Sequence, residues 1–232
     1  MAIPFLKTAA GPLPVHLAPV PQRDAWWEAR HAEKLRQAAG QGGSIDIVFI
    51  GDSIIQALER PGSAEAVARA FPGKTILNLG YNADKTENVL WRLRNGETDG
   101  IAPKAVVLMI GTNNTGHRRD APHATAEAIG RIIGEIRIRL PDSKIALLSI
   151  FPRSDGPGTG LQQINEQTNA ILPALADGST VFHFDLNKAF IGADGKVSQE
   201  TMPDGLHPSE EGDGLWIGAL QSRLDQILAG SP

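Results

Sequence analysis

The chain predicts an α/β fold of three layers, α/β/α, around a five-stranded parallel sheet. Three observations predict it. Five short apolar runs recur along the chain, most of them running straight into a glycine or another turn-former. The runs are near-continuous rather than alternating, as in strands covered on both faces. Helical patterns separate them, which calls for right-handed crossovers between parallel strands.

Each element follows in order. A proline-rich start (Pro4, Pro12, Pro14, Pro19, Pro21) reads as an extended arm, and Asp24 as the N-cap of a helix through Trp26, Trp27, His31 and Leu35 that stops at Gly40 to Gly43. Residues 1–43 are expected to pack as arm and helix on a single domain spanning 44–232. The five runs are Ile45 to Ile50, Thr75 to Leu79, Ala105 to Ile110, Lys144 to Ile150 and the weaker Val181 to Phe184. Between and after them, helices are expected over Thr86 to Arg94, Thr125 to Leu140, Leu161 to Leu175 and Ser209 to Leu228. Their apolar faces are Val89, Leu90 and Leu93; Ile129, Ile132, Ile133 and Ile136; and, in the last, Leu215, Leu220, Leu224 and Ile227.

Composition narrows function. With 26 acidic against 22 basic residues the net charge is −4, the wrong sign for a protein that binds nucleic acid by neutralising phosphates. The absence of cysteine excludes a disulfide framework, a thiolate zinc site and a cysteine nucleophile. No apolar run approaches the ~20 residues of a membrane span, and no compact signal-peptide core is present, so a soluble, cytoplasmic protein is expected.

In an open parallel sheet, ligands bind beyond the carboxyl ends of the strands. There the first run enters Gly51-Asp52-Ser53, the second Gly80-Tyr81-Asn82 and the third Gly111-Thr112-Asn113-Asn114, while Asp204-Gly205-Leu206-His207-Pro208 follows the fifth. A serine hydroxyl is a poor nucleophile until an imidazole takes its proton. Of six histidines, His207 is best placed for Ser53, and Asp204, three residues earlier, can hold its tautomer. The Ser53 and Gly80 backbone N–H groups and the Asn113 side-chain amide would form a three-donor oxyanion hole. Asp52, Tyr81, Asn82 and Asn114 flank these groups and are expected to touch substrate, with Tyr81 over the acyl pocket. Taken singly, each has a plainer reading: Ser53 as an N-cap, Gly80 as a turn, Asn113 as a turn-former, His207 as part of a helix entry. Four such elements at four strand ends favour acyl transfer.

At these residues the chain resembles the SGNH, or GDSL-type, hydrolase family. Its blocks match Ile50-Gly51-Asp52-Ser53-Ile54, Asn78-Leu79-Gly80, Gly111-Thr112-Asn113-Asn114 and Asp204-Gly205-Leu206-His207-Pro208-Ser209, in the family's order. The stretch from Asn88 to Gly96 with Pro103-Lys104 is similar to the platelet-activating-factor acetylhydrolase branch. The resemblance implies a flavodoxin-like strand order and hydrolysis through an acyl-enzyme, without metal or cofactor. It implies Ser53 as nucleophile, His207 as base and Asp204 as its orienter, Ser53, Gly80 and Asn113 as the oxyanion hole, and a possible homodimer. Two departures stand out: Ile54 where the family has leucine, and Tyr81-Asn82-Ala83 where the acetylhydrolase branch is glycine-rich.

The expected activity is therefore that of a serine esterase acting on small acyl esters of lipid or carbohydrate alcohols. His117, Arg118 and Arg119, in a polar loop from Thr115 to His123, would steer an anionic substrate or simply face solvent; a second Gly/Pro-rich loop runs from Arg153 to Gly160. Two alternatives are a metal-dependent phosphoesterase using Asp52, His183, Asp185 and His207, and a non-catalytic binding module on the same fold.

Overall fold

The computed structural model describes residues 12–40, 44–154, 160–193 and 195–229. Five strands, β1 (Ile47–Gly51), β2 (Ile76–Gly80), β3 (Ala105–Met109), β4 (Lys144–Leu148) and β5 (Val181–Phe184), form one sheet of order β2-β1-β3-β4-β5. Every neighbouring pair is parallel, with Gly51 level with Gly80 on one side and with Met109 on the other. All strand ends that carry candidate residues therefore open on one edge of the sheet.

Side chains along each strand alternate between two cores. Val48 and Ile50 join Val89, Leu90, Leu93 and the isoleucines Ile129, Ile132, Ile133 and Ile136 in one. Ile47 and Phe49 join Ile54, Ile55, Trp216, Ile217, Leu220 and Leu224 in the other. The first core lies beneath α1 (Ala25–Gly40), α4 (Thr86–Arg94) and α6 (Pro122–Arg139); the second lies beneath α2 (Ser53–Gln56), α3 (Pro61–Ala70) and α8 (Glu210–Leu228). Two further helices, α5 (Thr112–Arg118) and α7 (Leu161–Asn169), follow the ends of β3 and β4. The three-layer α/β/α fold is thus present, with the flavodoxin-like strand order. Among the described residues no helix is long and apolar enough to cross a membrane.

Several elements differ from expectation for definable reasons. The helix foreseen through Leu175 ends at Asn169, and a single 3₁₀ turn covers Leu172–Leu175. Pro173 cannot donate within an α-helix, so the tighter turn takes over. In α8 the buried face is Trp216, Ile217, Leu220, Leu224 and Ile227, whereas Leu215 is 48% exposed. The five-residue gap from Leu215 to Leu220 is out of phase with a 3.6-residue turn. The loop expected from Thr115 to His123 is largely helical: α5 runs to Arg118 and α6 starts at Pro122, a residue suited to a first helical position. The glycine stop at 41–43, the first eleven residues and the loop at 155–159 lie outside the described residues.

Candidate active site

The turn after β1 places Ser53 at the first position of α2, where its N–H has no partner within the helix. Asp52, one residue earlier, is the N-cap: its Oδ1 accepts the Ile54 N–H at 3.0 Å. Gly51 has to be glycine, because a Cβ there would stand 2.4 Å from the Met109 carbonyl. The turn that carries Ser53 is therefore packed tightly against β3.

His207 arrives from the other end of the chain. The Asp204 carboxylate folds the segment by accepting the N–H groups of Leu206 at 2.9 Å and His207 at 2.7 Å on one oxygen. Its other oxygen lies 2.7 Å from His207 Nδ1, and His207 Nε2 lies 2.9 Å from Ser53 Oγ. Partial burial pushes the Asp204 carboxyl up, but the His207 N–H, the imidazole and the Leu206 N–H outweigh it and hold the group below its ordinary range. A carboxylate so placed keeps a proton on Nδ1 and leaves Nε2 free to accept one. Arg60 secures this segment, donating to the Pro208 carbonyl at 2.8 Å and to buried Asp213 at 2.7 Å.

Asn113 is the second residue of α5, and its amide donates to the Asp84 carbonyl at 3.0 Å, leaving a second amide hydrogen. Gly111, with φ at +133°, makes the entry to α5 possible; a Cβ there would press on Ile150 and Thr125.

Four residues behave differently from expectation. The Gly80 N–H is not an open donor: it is given to the Asn78 side-chain oxygen at 2.8 Å. Gly80 is required instead by packing, since a Cβ would lie 2.1 Å from the Gln56 nitrogen at the end of α2. Tyr81 does not face an acyl pocket. It is fully buried, its hydroxyl hydrogen-bonds to Glu97, and the Arg92 guanidinium lies 3.9 Å from its ring centre. Asn114 is equally buried, accepting from Thr86 N–H and donating to Thr86 Oγ1 and Asp120. Asp52 is closed off at 1% exposure, and burial pushes its carboxyl up to about 7 against the Ile54 N–H and His207, which pull it down, with Asp84 adding to the rise. Desolvation and neighbouring charge thus give Asp52 a structural part. Asn82 alone of the flanking residues is exposed, and it borders an open cavity of about 350 Å³ with Ser53, Gln56, Ala57, Glu59 and Arg60.

The loop after β2 carries Ala83, which the sequence marks only as a departure from a glycine-rich pattern. Ala83 has φ at +59°, a left-handed conformation, in a turn closed by the Asp84 N–H on the Tyr81 carbonyl at 3.2 Å. Its own N–H makes no hydrogen bond among the described residues. Non-glycine residues with positive φ are uncommon and cluster where a site needs them.

His183 sits apart from these groups on β5, its Nε2 3.0 Å from Ser149 Oγ. No group of three histidine, aspartate or glutamate side chains poised to hold a metal occurs among the described residues. Of the basic residues near α5, Arg118 is committed to Glu87 and Asp120.

An α/β/α fold that brings a hydrogen-bonded Asp–His–Ser chain to one edge of its sheet has the connectivity that serine hydrolases use. Residues 49–215 match the GDSL-like lipase/acylhydrolase family, and the chain belongs to that family of carboxylic ester hydrolases. Platelet-activating factor acetylhydrolase IB subunit alpha1 of Homo sapiens is 34% identical over 209 residues, covering 90% of this chain and 87% of the relative. Subunit alpha2 of Rattus norvegicus is 32% identical over 218 residues, covering 94% and 91%. In three dimensions the chain is similar to a carbohydrate acetylesterase from Sinorhizobium meliloti (TM-score 0.64, 20% identity, 79% of this chain and 99% of that one). It is also similar to a GDSL-like lipase from Bacteroides thetaiotaomicron (TM-score 0.66, 18% identity, 87% and 98%).

Proposed function

We propose that this protein hydrolyses short-chain, acetyl-type acyl esters through an acyl-enzyme on Ser53. The observation that carries the reading is the continuous chain from Asp204 through His207 to Ser53, with links of 2.7 Å and 2.9 Å. His207 Nε2 takes the Ser53 proton as Oγ attacks the acyl carbonyl carbon. Asp204 steadies the resulting imidazolium. The tetrahedral intermediate collapses, His207 returns the proton to the departing alcohol, and the acyl group remains on Oγ. Water then attacks the acyl carbonyl, with His207 again as base, and Ser53 is regenerated.

The developing oxyanion needs fixed donors, each worth ~3 kcal/mol of transition-state stabilisation. The Ser53 N–H and the second hydrogen of the Asn113 amide are two. For the third, the Ala83 N–H takes the place first expected of Gly80: it makes no hydrogen bond among the described residues, and the neighbouring Asp84 carbonyl already holds Asn113. In the cavity beside Ser53, the side chains of Gln56, Glu59, Arg60 and Asn82 offer hydrogen-bonding groups to an alcohol on the leaving side. The acetylhydrolase and acetylesterase names of the relative and the structural neighbour point to the same acyl class.

Hydrolysis of p-nitrophenyl acetate, butyrate and octanoate by wild type and Ser53→Ala, with and without EDTA, tests the proposal. The expected result is cleavage that is fastest on acetate, indifferent to EDTA and lost in the variant. Cleavage that survives Ser53→Ala, or that needs a metal, contradicts it.

A further inference from the structure

Asp84 closes the loop between β2 and α4 with a side chain that is wholly buried. Its Oδ1 accepts the Trp27 indole N–H at 2.8 Å and the Gln22 amide at 2.7 Å, and its Oδ2 accepts Arg92 Nε at 2.8 Å. Its main-chain carbonyl, meanwhile, accepts the Asn113 amide at 3.0 Å. Arg92 is also wholly buried; its other nitrogens meet Glu97 and, at 3.4 Å, the Gly51 carbonyl two residues before Ser53. The cluster thus touches the nucleophile turn and the Asn113 amide at once.

A buried ion pair is weak evidence for stability, because apolar residues of similar volume often serve as well. What distinguishes this one is convergence. Three donors fix the Asp84 side chain, and through one residue of backbone they fix the acceptor that aims Asn113. With one amide hydrogen on the Asp84 carbonyl, the other is held in a single direction. Catalytic donors must be held to within about 0.5 Å of productive geometry, which a support of this kind provides.

We propose that Asp84 is a positioning residue for the oxyanion site, clamped by Arg92 from α4 and by Trp27 and Gln22 from the segment ahead of β1. This rests on the part given to Asn113 above. Two of the three clamping donors precede the stretch that matches the family, residues 49–215, so the N-terminal segment is a working part of the site.

The test measures kcat and KM on p-nitrophenyl acetate, with melting temperatures, for Trp27→Phe and Asp84→Asn in wild-type and Asn113→Ala backgrounds. Trp27→Phe keeps an aromatic ring against Tyr81 and His31 while removing one donor. It should lower kcat roughly 10-fold, and Asp84→Asn more, with KM within about twofold. In the Asn113→Ala background the further loss should shrink to about twofold, since the residue through which Asp84 acts is gone. Wild-type kcat in a folded Trp27→Phe, or equal fold-losses in both backgrounds, overturns the proposal. Trp27→Phe decides the matter if Asp84→Asn does not fold. Ser53→Ala, assayed alongside, separates the two levels: surviving activity there would mean that the hydrolytic reading itself has failed.

Discussion

Ser53, His207 and Asp204 owe their meeting to local rules at each residue. Asp52 caps the helix that Ser53 begins, Gly51 lets the turn press against β3, and Asp204 folds its own loop by taking two N–H groups before it takes the imidazole. Ser53→Ala should lower kcat on the order of 10⁴-fold or more in a protein of unchanged melting temperature. His207→Ala should be nearly as severe, and Asn113→Ala should cost roughly 10²- to 10³-fold. His183→Ala, by contrast, should leave kcat within about twofold, because its ring serves Ser149 rather than Ser53. Equal damage from His183→Ala in a folded protein would mean that the base has been misassigned. At this scale the sequence singled out Ser53, His207 and Asp204, which the fold brings into one hydrogen-bonded chain, and it was weakest for the residues beside them. Tyr81, Asn114 and Asp52 have the composition of a substrate-binding rim, yet each is buried with partners from other elements: Glu97, Thr86, and the fields of His207 and Asp84. Such pairings depend on tertiary approach, which no local spacing encodes.

At the scale of elements, the strand ends act as platforms, and Gly80 shows how a platform residue differs from a catalytic one. Gly80→Ala should destabilise the protein by several kcal/mol, as expected where a Cβ collides with backbone, and should displace α2 with Ser53 on it. An unchanged melting temperature would contradict that packing. Asp52 makes a second prediction. Its carboxyl is raised in the folded chain to about 7 from 3.8, so between those values the native state binds more protons than the unfolded chain. Stability contributed by this group is therefore lost as pH rises from 3.8 to about 7, and the loss is complete above that. Asp52→Asn keeps a capping oxygen without the charge. Its melting temperature should match that of wild type near pH 4 and exceed it at pH 8; a constant offset across that range would contradict the assignment. Element boundaries followed the same division between local and tertiary signals. The periodic α4 and α6 were visible as apolar stripes. Helices α3 and α5 were not, because Pro61-Gly62-Ser63 and Thr112-Asn113-Asn114 have turn chemistry that only packing on the sheet turns into helix.

For the whole molecule, the parallel sheet is what makes one site out of residues 154 positions apart, as Ser53 and His207 are. All five strands point the same way, so their following loops share one edge, and helices on both faces bury two separate cores. Distant parts then lock that edge. Arg60 and Ser63 from the α2–α3 region hold Asp213 of α8 just beyond His207, while Trp27 and Gln22 reach Asp84 from ahead of the sheet. The strand rhythm and the glycine-ended turns made this architecture legible from sequence; the N-terminal contribution was not, because a lone indole N–H has no pattern along a chain. The central claim is that Ser53, activated by His207, forms the covalent intermediate. Labelling with an organofluorophosphonate followed by peptide mass mapping tests it most directly. The account predicts one adduct, on Ser53, formed at the rate at which esterase activity disappears, and much slower in His207→Ala. An adduct elsewhere, or full inactivation without one on Ser53, would contradict it.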